Sequence, residues 1–206
     1  MSKELTKSTI QSLYKEDAVL ELANFDMLNT LLNQKPPAKW IKKNPFAGNS
    51  LYLPIDKVEY LLRKIFKRYK IEILREQQLF NAVSVTVRLH YLHPITNEWD
   101  WIDGGGAKSL QLKKGSQSFD FSNINTNAVD MAYPIAISQA TKNAAAKLGR
   151  IFGSDLNRAD IMEVTPDESL QDKKYQIERE RILQAIENGH VPTQEEIEKY
   201  NLDEAV

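Results

Sequence analysis

From Val83 to Tyr91 the side chains of Val83, Val85, Val87, Leu89 and Tyr91 alternate without a break with Ser84, Thr86, Arg88 and His90. A period of two sends the first set to one face of an extended chain and the second to the other, so this run is a half-buried β-strand. Such a strand needs pairing partners and an apolar cover. Ile71 and Ile73 begin a strand before it. The turn residues His93-Pro94-Ile95-Thr96-Asn97-Glu98 follow it, and Trp99-Asp100-Trp101-Ile102-Asp103 reads as the return strand. The expectation is a three-stranded antiparallel meander that ends at Gly104-Gly105-Gly106.

Helices supply the cover. Starting at Asp56 as N-cap, Val58, Leu61, Leu62, Ile65, Phe66 and Tyr69 recur at helical spacing. On the opposite face Lys57, Lys64 and Arg68 align, flanked by Arg63 and Lys67, as a cationic ridge. After the glycines, residues 107–127 are polar and aperiodic and predict a long loop, a length that is usually functional or mobile. A second helix is expected from Val129 or Pro134 to Phe152, closed by Gly153. Its stripe of Ile137, Ala140, Ala144, Leu148 and Ile151 is built largely of small residues and lets the helix lie close to a sheet. Gln139, Asn143, Lys147 and Arg150 lie across from that stripe.

The fold class is therefore α+β: helix, three-stranded antiparallel β-meander, long loop and Ala-rich basic helix, with helical N-terminal and acidic C-terminal appendages. The 206 residues suit one core rather than two substantial ones. Lys35-Pro36-Pro37 stops the N-terminal helical stretch, and Asn44-Pro45-Phe46-Ala47-Gly48-Asn49 is a turn cluster. These punctuate the chain into an appendage and basic linker over 1–49, a core over 50–158, and a partly helical, flexible acidic tail over 159–206.

Net charge is only -1, but it is unevenly distributed. Residues 35–90 carry 12 basic and 4 acidic side chains, whereas 159–206 carry 5 and 13. A polyanion-binding core followed by an acidic arm has this partition, and so do two ordinary solvated faces.

Several chemistries drop out. There is no cysteine, hence no disulfide, thiol nucleophile or thiolate-bound zinc. Gly104-Gly105-Gly106-Ala107-Lys108-Ser109 ends like a phosphate-binding loop but lacks its spacing, since Ala107 precedes the lysine and Ile102 stands at the leading glycine position. His90 and His93 have no third ligand at suitable spacing. Asp100 and Asp103, which with Glu98 would form a divalent-ion set, point to opposite faces of a strand. No cofactor, metal or enzymatic activity is expected. No window of about 18 apolar residues appears, and Met1-Ser2-Lys3-Glu4 leads into a polar stretch, so a soluble cytoplasmic protein is expected.

What remains is cations interleaved with aromatics. Lys57, Arg63, Lys64, Lys67, Arg68, Lys70, Arg75 and Arg88, then Lys142, Lys147, Arg150 and Arg158, outnumber nearby carboxylates and call for an anion. Tyr69, Trp99 and Trp101, together with Trp40 and Tyr52, offer faces on which bases stack. Single-stranded nucleic acid satisfies both.

The order of elements, Leu53-Pro54 before the first core helix, the strand Val83–Tyr91, the segment Trp99–Gly106 and above all Ala140-Thr141-Lys142-Asn143-Ala144-Ala145-Ala146-Lys147-Leu148-Gly149-Arg150-Ile151-Phe152-Gly153 resemble the Rad-fifty-two-like superfamily of single-strand annealing proteins. Within it the likeness is to phage Sak-type recombinases, over about residues 50–158. The resemblance implies a β-β-β-α annealing core that assembles into rings or helical filaments. Such a core binds single-stranded DNA in a basic groove and pairs complementary strands without ATP, through an annealed duplex intermediate. It implies a role in recombination and repair, in the bacterial host cell where the protein is phage-encoded. Lys147 and Arg150 occupy the groove positions of the helix, with Arg75 and Arg88 the nearest meander candidates and Ala146 where some relatives carry another cation. The tail resembles arms that recruit a single-strand-binding protein or an exonuclease. The alternative functions are a single-strand-coating or replication-mediator protein without annealing activity, and a metal-dependent nuclease using Glu98, Asp100 and Asp103.

Overall fold

The computed structural model describes residues 16–45, 47–115 and 121–202. In chain order these form α1 (Glu16–Leu32), β1 (Lys42–Asn44), β2 (Ser50–Tyr52), α2 (Ile55–Phe66), β3 (Tyr69–Leu79), β4 (Ala82–Leu92), β5 (Trp99–Ser109), α3 (Ala128–Ala146), α4 (Glu168–Glu187) and α5 (Gln194–Tyr200). The protein is α+β, with a three-stranded antiparallel sheet ordered β3-β4-β5 and a helix after it. Among the described residues no helix is long and apolar enough to cross a membrane.

The chain divides into two compact units, residues 31–163 and the combination of the N-terminal residues to 30 with those from 164 onward. In the first unit the β4 alternation does what its period dictates: Val83, Val85, Val87, Leu89 and Tyr91 are buried, and Ser84, Thr86, Arg88 and His90 face outward. α3 lies along the buried face. The α2 residues Val58, Leu61, Leu62 and Phe66 complete the core, with Phe66 4.7 Å from Tyr91 and stacked at 6.2 Å on Phe152. Each such side chain contributes about 1.5–3 kcal/mol by leaving water. The Tyr91 hydroxyl, half-buried at the end of this core, donates to Asp100 at 3.0 Å. Burial first, and that carboxylate second, push its pKa up to about 12.

Several boundaries differ from the expected ones. α2 begins at Ile55 after Pro54, and Asp56 makes no cap; it lies in the first turn and pairs with Lys57 at 3.0 Å. α2 also stops at Phe66, because Lys67 takes φ 59°, so Lys67 and Arg68 leave the cationic ridge. The glycine triplet does not end the sheet. β5 continues through it to Ser109, with Gly104, Gly105 and Gly106 opposite Val87, Thr86 and Val85.

The reason for the triplet is tertiary. A Cβ at Gly104 would overlap the Ala140 carbonyl oxygen and Ala144 amide nitrogen, and one at Gly106 would overlap the corresponding atoms of Ala136 and Ala140. Two glycines and a stripe of alanines let helix and strand backbones touch. Gly105 points the other way, into open space.

α3 likewise ends at Ala146 rather than Phe152. Gly149 takes φ 154° and presses against the Leu32 carbonyl, where any side chain would collide. A separate 3-10 turn, Arg150–Phe152, follows, and it is this turn that Gly153 closes at φ 95°. Of the predicted stripe Ala140, Ala144 and Ile151 are buried while Ile137 and Leu148 are only half-buried, and the buried face of α3 also takes in Ala128, Ala132, Ala136, Thr141 and Ala145. The loop after β5 is tied by a Leu112–Ile124 bridge and by the bond from Lys113 N to Asn123 O at 2.8 Å; residues 116–120 of it lie outside the described residues.

In the second unit the acidic C-terminal segment packs on the N-terminal helix, so residues 16–30 and 164–202 do not form the two separate appendages expected. Val19, Ala23 and Leu170 form its small core with Ile177 against it. Arg181 reaches Asp17 at 2.7 Å, and Gln171 donates to the Ala23 carbonyl at 3.1 Å. Thr193 and Glu196 close a capping box at the start of α5. Residues 1–15, including the expected helical positions Ile10, Leu13 and Tyr14, lie outside the described residues.

Candidate nucleic-acid interface

α3 presents its alanine stripe to the sheet and its polar flank to the outside, and what that flank meets decides the chemistry. Along one side it borders a groove of about 610 Å³, walled by the β1–β2 hairpin, the end of β5 and the 3-10 turn. Asn157 fixes the hairpin there, its side-chain amide bonding both the Leu51 N–H at 2.6 Å and the Leu51 carbonyl at 2.9 Å. The groove lining holds two lysines, Lys108 and Lys142, the ring of Tyr52, and the amides of Asn44, Gln139 and Asn143. It contains no carboxylate.

Lys142 is the most constrained of these cations. It rises from the C-terminal part of α3, is half-buried, and has its ammonium 5.3 Å from the Tyr52 ring centroid. Burial alone holds its pKa below the ordinary lysine value, so the ammonium is under-solvated and gains when an anion approaches. Lys108 arrives by strand alternation. It stands opposite Val83 on the same face as Gly104 and Gly106, two residues beyond the last of them.

Asn143, next to Lys142, and Lys147, the residue that caps the C-terminus of α3, reach the edge strand β5. Asn143 donates to the Gly105 carbonyl at 2.7 Å and the Lys147 ammonium to the Asp103 carbonyl at 2.8 Å. They satisfy two acceptors on an edge strand. Lys147 remains exposed and keeps two further N–H donors. Arg150, in the 3-10 turn, borders a second and much smaller cavity together with Lys35 and Arg158.

The other predicted site residues lie elsewhere and are largely occupied. Arg88 faces outward from β4, directly opposite Asp103, and holds that carboxylate with two hydrogen bonds of 2.8 and 2.9 Å. Its guanidinium carbon lies 3.8 Å from the Trp101 ring centroid. The hydrogen bond to Arg88 is the main cause of a lowered Asp103 pKa and, reciprocally, of a raised Arg88 pKa. Arg68 covers the Trp99 ring at 5.7 Å. The indoles of Trp99 and Trp101, expected to stack bases, therefore carry arginines. Arg63 pairs with Glu59 at 3.2 Å and donates to the Tyr69 hydroxyl at 3.5 Å. Lys57 pairs with Asp56 and lies 5.9 Å over Trp40, and Arg158 pairs with Asp155 at 3.0 Å. Arg75 sits at the β3 bulge on the outer sheet face, while Lys64 and Lys67 are exposed on and after α2. The expectation that these cations lack neighbouring carboxylates is thus corrected for Arg88, Lys57, Arg63 and Arg158.

The outer face of the sheet carries a second pair, His90–Glu72 at 2.8 Å, beside Arg88–Asp103. Asp100 accepts from Tyr91 and from its neighbour's N–H while Asp103 serves Arg88, so two of the three carboxylates considered for a nuclease have other partners. No group of three or more potential metal ligands occurs among the described residues. Lys108 in the groove, and Lys35 in the separate smaller cavity, were not among the expected residues. Extending the β5 alternation past the glycines places Lys108 on the α3 side; Lys35 has no comparable signal.

No protein-family model matches the chain, and no curated protein matches it.

Proposed function

We propose that this protein binds single-stranded DNA in the groove beside α3 and anneals complementary strands without ATP or metal. The observation that carries the reading is the acid-free groove itself: two lysines, one of them desolvated, a tyrosine face and three amides around a space of about 610 Å³. Lysines neutralise phosphates, an aromatic face stacks bases of any sequence, and amides reach base edges. Lys147 extends the positive path along the helix, and the likeness of Ala140–Gly153 to annealing proteins supports the same segment. In this reading the β-β-β-α arrangement is the annealing core, copies of the chain assemble side by side into a ring or filament, and the acidic unit recruits a single-strand-binding protein or exonuclease.

The mechanism asks little of the protein. Backbone neutralisation holds one strand extended with its bases accessible, and a second strand samples registers until pairing locks. Each stacked base pair contributes about 1.4 kcal/mol, so the protein needs only to raise encounter frequency and lower the ordering cost.

Mixing complementary oligonucleotides with the full-length protein, in chelator and without ATP, tests this. Accelerated duplex formation is the expected result. Binding accompanied by duplex melting would mean a coating protein instead, and no single-strand binding would reject the groove.

A further inference from the structure

The smaller cavity, about 40 Å³, is a different kind of site from the groove. Lys35, Arg150 and Arg158 line it together with Ser154 and the single carboxylate of Asp155, which pairs with Arg158 at 3.0 Å. Three cations against one carboxylate leave a local charge of about +2, and Lys35 and Arg150 have no carboxylate partner among the described residues. Beside the cavity the non-glycine Asp155 is held in the left-handed region at φ 58°. Such conformations persist where the surrounding structure fixes them, and they cluster at ligand clamps.

We propose that this cavity binds a phosphate monoester dianion, with the terminal phosphate of a DNA strand as the source that matches the neighbouring groove. Charge and size both select the monoester. It carries about -1.5 to -2 at pH 7 and offers three terminal oxygens, matching three cationic side chains and a serine hydroxyl. A phosphodiester brings one charge and needs an exit for the chain on both sides. Arg150 supplies a planar fork for two of the oxygens, and Lys35 and Arg158 complete the cradle.

The cavity also lies where a strand would end. Phe152 and Gly153 line the groove, while Arg150 and Ser154 line the cavity, so one short segment, Arg150–Ser154, contributes to each. A strand laid in the groove brings its end to the pocket across one turn of backbone. The strand-end assignment rests on the groove reading; the phosphate site itself does not.

The experiment uses the full-length protein and one oligonucleotide sequence made with a 5′-phosphate, a 3′-phosphate or hydroxyls at both ends, read by fluorescence anisotropy. Inorganic phosphate is titrated separately by calorimetry at matched ionic strength. A terminal phosphate at one end should tighten binding about tenfold, the scale of a few charge-assisted hydrogen bonds. Lys35→Gln should abolish that gain and leave the hydroxyl-ended affinity unchanged, with Ser154→Ala as a second, smaller loss; unaltered melting of both variants shows that they fold. Saturable inorganic phosphate binding without end discrimination supports the pocket with free phosphate as its ligand. If no oligonucleotide binds, the groove reading fails and the calorimetric titration of wild type against Lys35→Gln decides the pocket alone. Equal affinity for all ends together with no saturable phosphate binding overturns the proposal.

Discussion

On the outer face of the sheet Arg88 grips Asp103 through two hydrogen bonds and lies 3.8 Å over Trp101; in the groove beside α3, Lys142 faces Tyr52 with no carboxylate in the lining. Both regions pair a cation with an aromatic ring. They differ in what the cation has left to offer. Arg88 has already committed two of its five donors and its face, so a phosphate there would have to displace Asp103. Lys142 is desolvated and keeps its donors, so an anion adds without displacing anything. A count of basic residues does not distinguish these cases; a count of unneutralised ones does. The same contrast holds between the two units, since residues 31–163 carry 19 basic and 12 acidic side chains while the remainder carries 8 and 16.

The comparison can be broken most severely through the helix that walls the groove. Gly106→Val places a branched side chain into the α3 backbone and should cost about 3 kcal/mol or more, or prevent folding. Gly105→Val, which points into open space, should leave the denaturation midpoint close to wild type. Equal midpoints for the two would show that α3 does not rest on these glycines.

Binding separates the regions next. Lys108→Gln with Lys142→Gln should weaken single-strand affinity at low salt by about tenfold or more, while Arg88→Gln with Asp103→Asn should change it less than about twofold on the same scale. The reverse ordering would move the site to the sheet face.

Two pH dependences sharpen the contrast with smaller effects. Burial lowers the Lys142 pKa, so the groove loses this charge as pH rises, before an ordinary lysine near 10.5 would titrate. Affinity should therefore decline on the alkaline side earlier in wild type than in Lys142→Arg, measured by anisotropy across the range. On the sheet face Asp103 has a lowered pKa, chiefly through Arg88. Its contribution is present above the unfolded aspartate value and is lost as pH falls below 3.8 towards the folded value. Acid denaturation of Arg88→Gln should begin at a higher pH than in wild type, and coincident acid limbs would show that the pair adds nothing.

Much of the scaffold was legible in the chain. The Val83–Tyr91 alternation specified β4 and its buried face, and the small residues of the Ala-rich helix announced its close approach to a sheet. The same close approach explains the misread glycines: by local propensity Gly104–Gly106 break a strand, whereas the alanines of α3 require glycine within one. The end of α3 depended on contact between Gly149 and Leu32, which no local pattern encodes. Cation identities were legible but their neutralisation was not, because the Arg88–Asp103 pair is set by antiparallel register across 15 residues and the isolation of Lys142 by a hairpin about 90 residues earlier. Lys147 and Arg150 were singled out from the likeness of their segment. Lys35 was not, since its place beside Arg150 is purely tertiary.

The most direct test of the groove is the salt dependence of single-strand affinity in the full-length protein and in the folded Lys108→Gln/Lys142→Gln variant. Each phosphate contact contributes about 0.7 to the slope of log affinity against log salt. If both lysines hold phosphates, the slope falls by about 1.4 in the double variant; an unchanged slope contradicts the account.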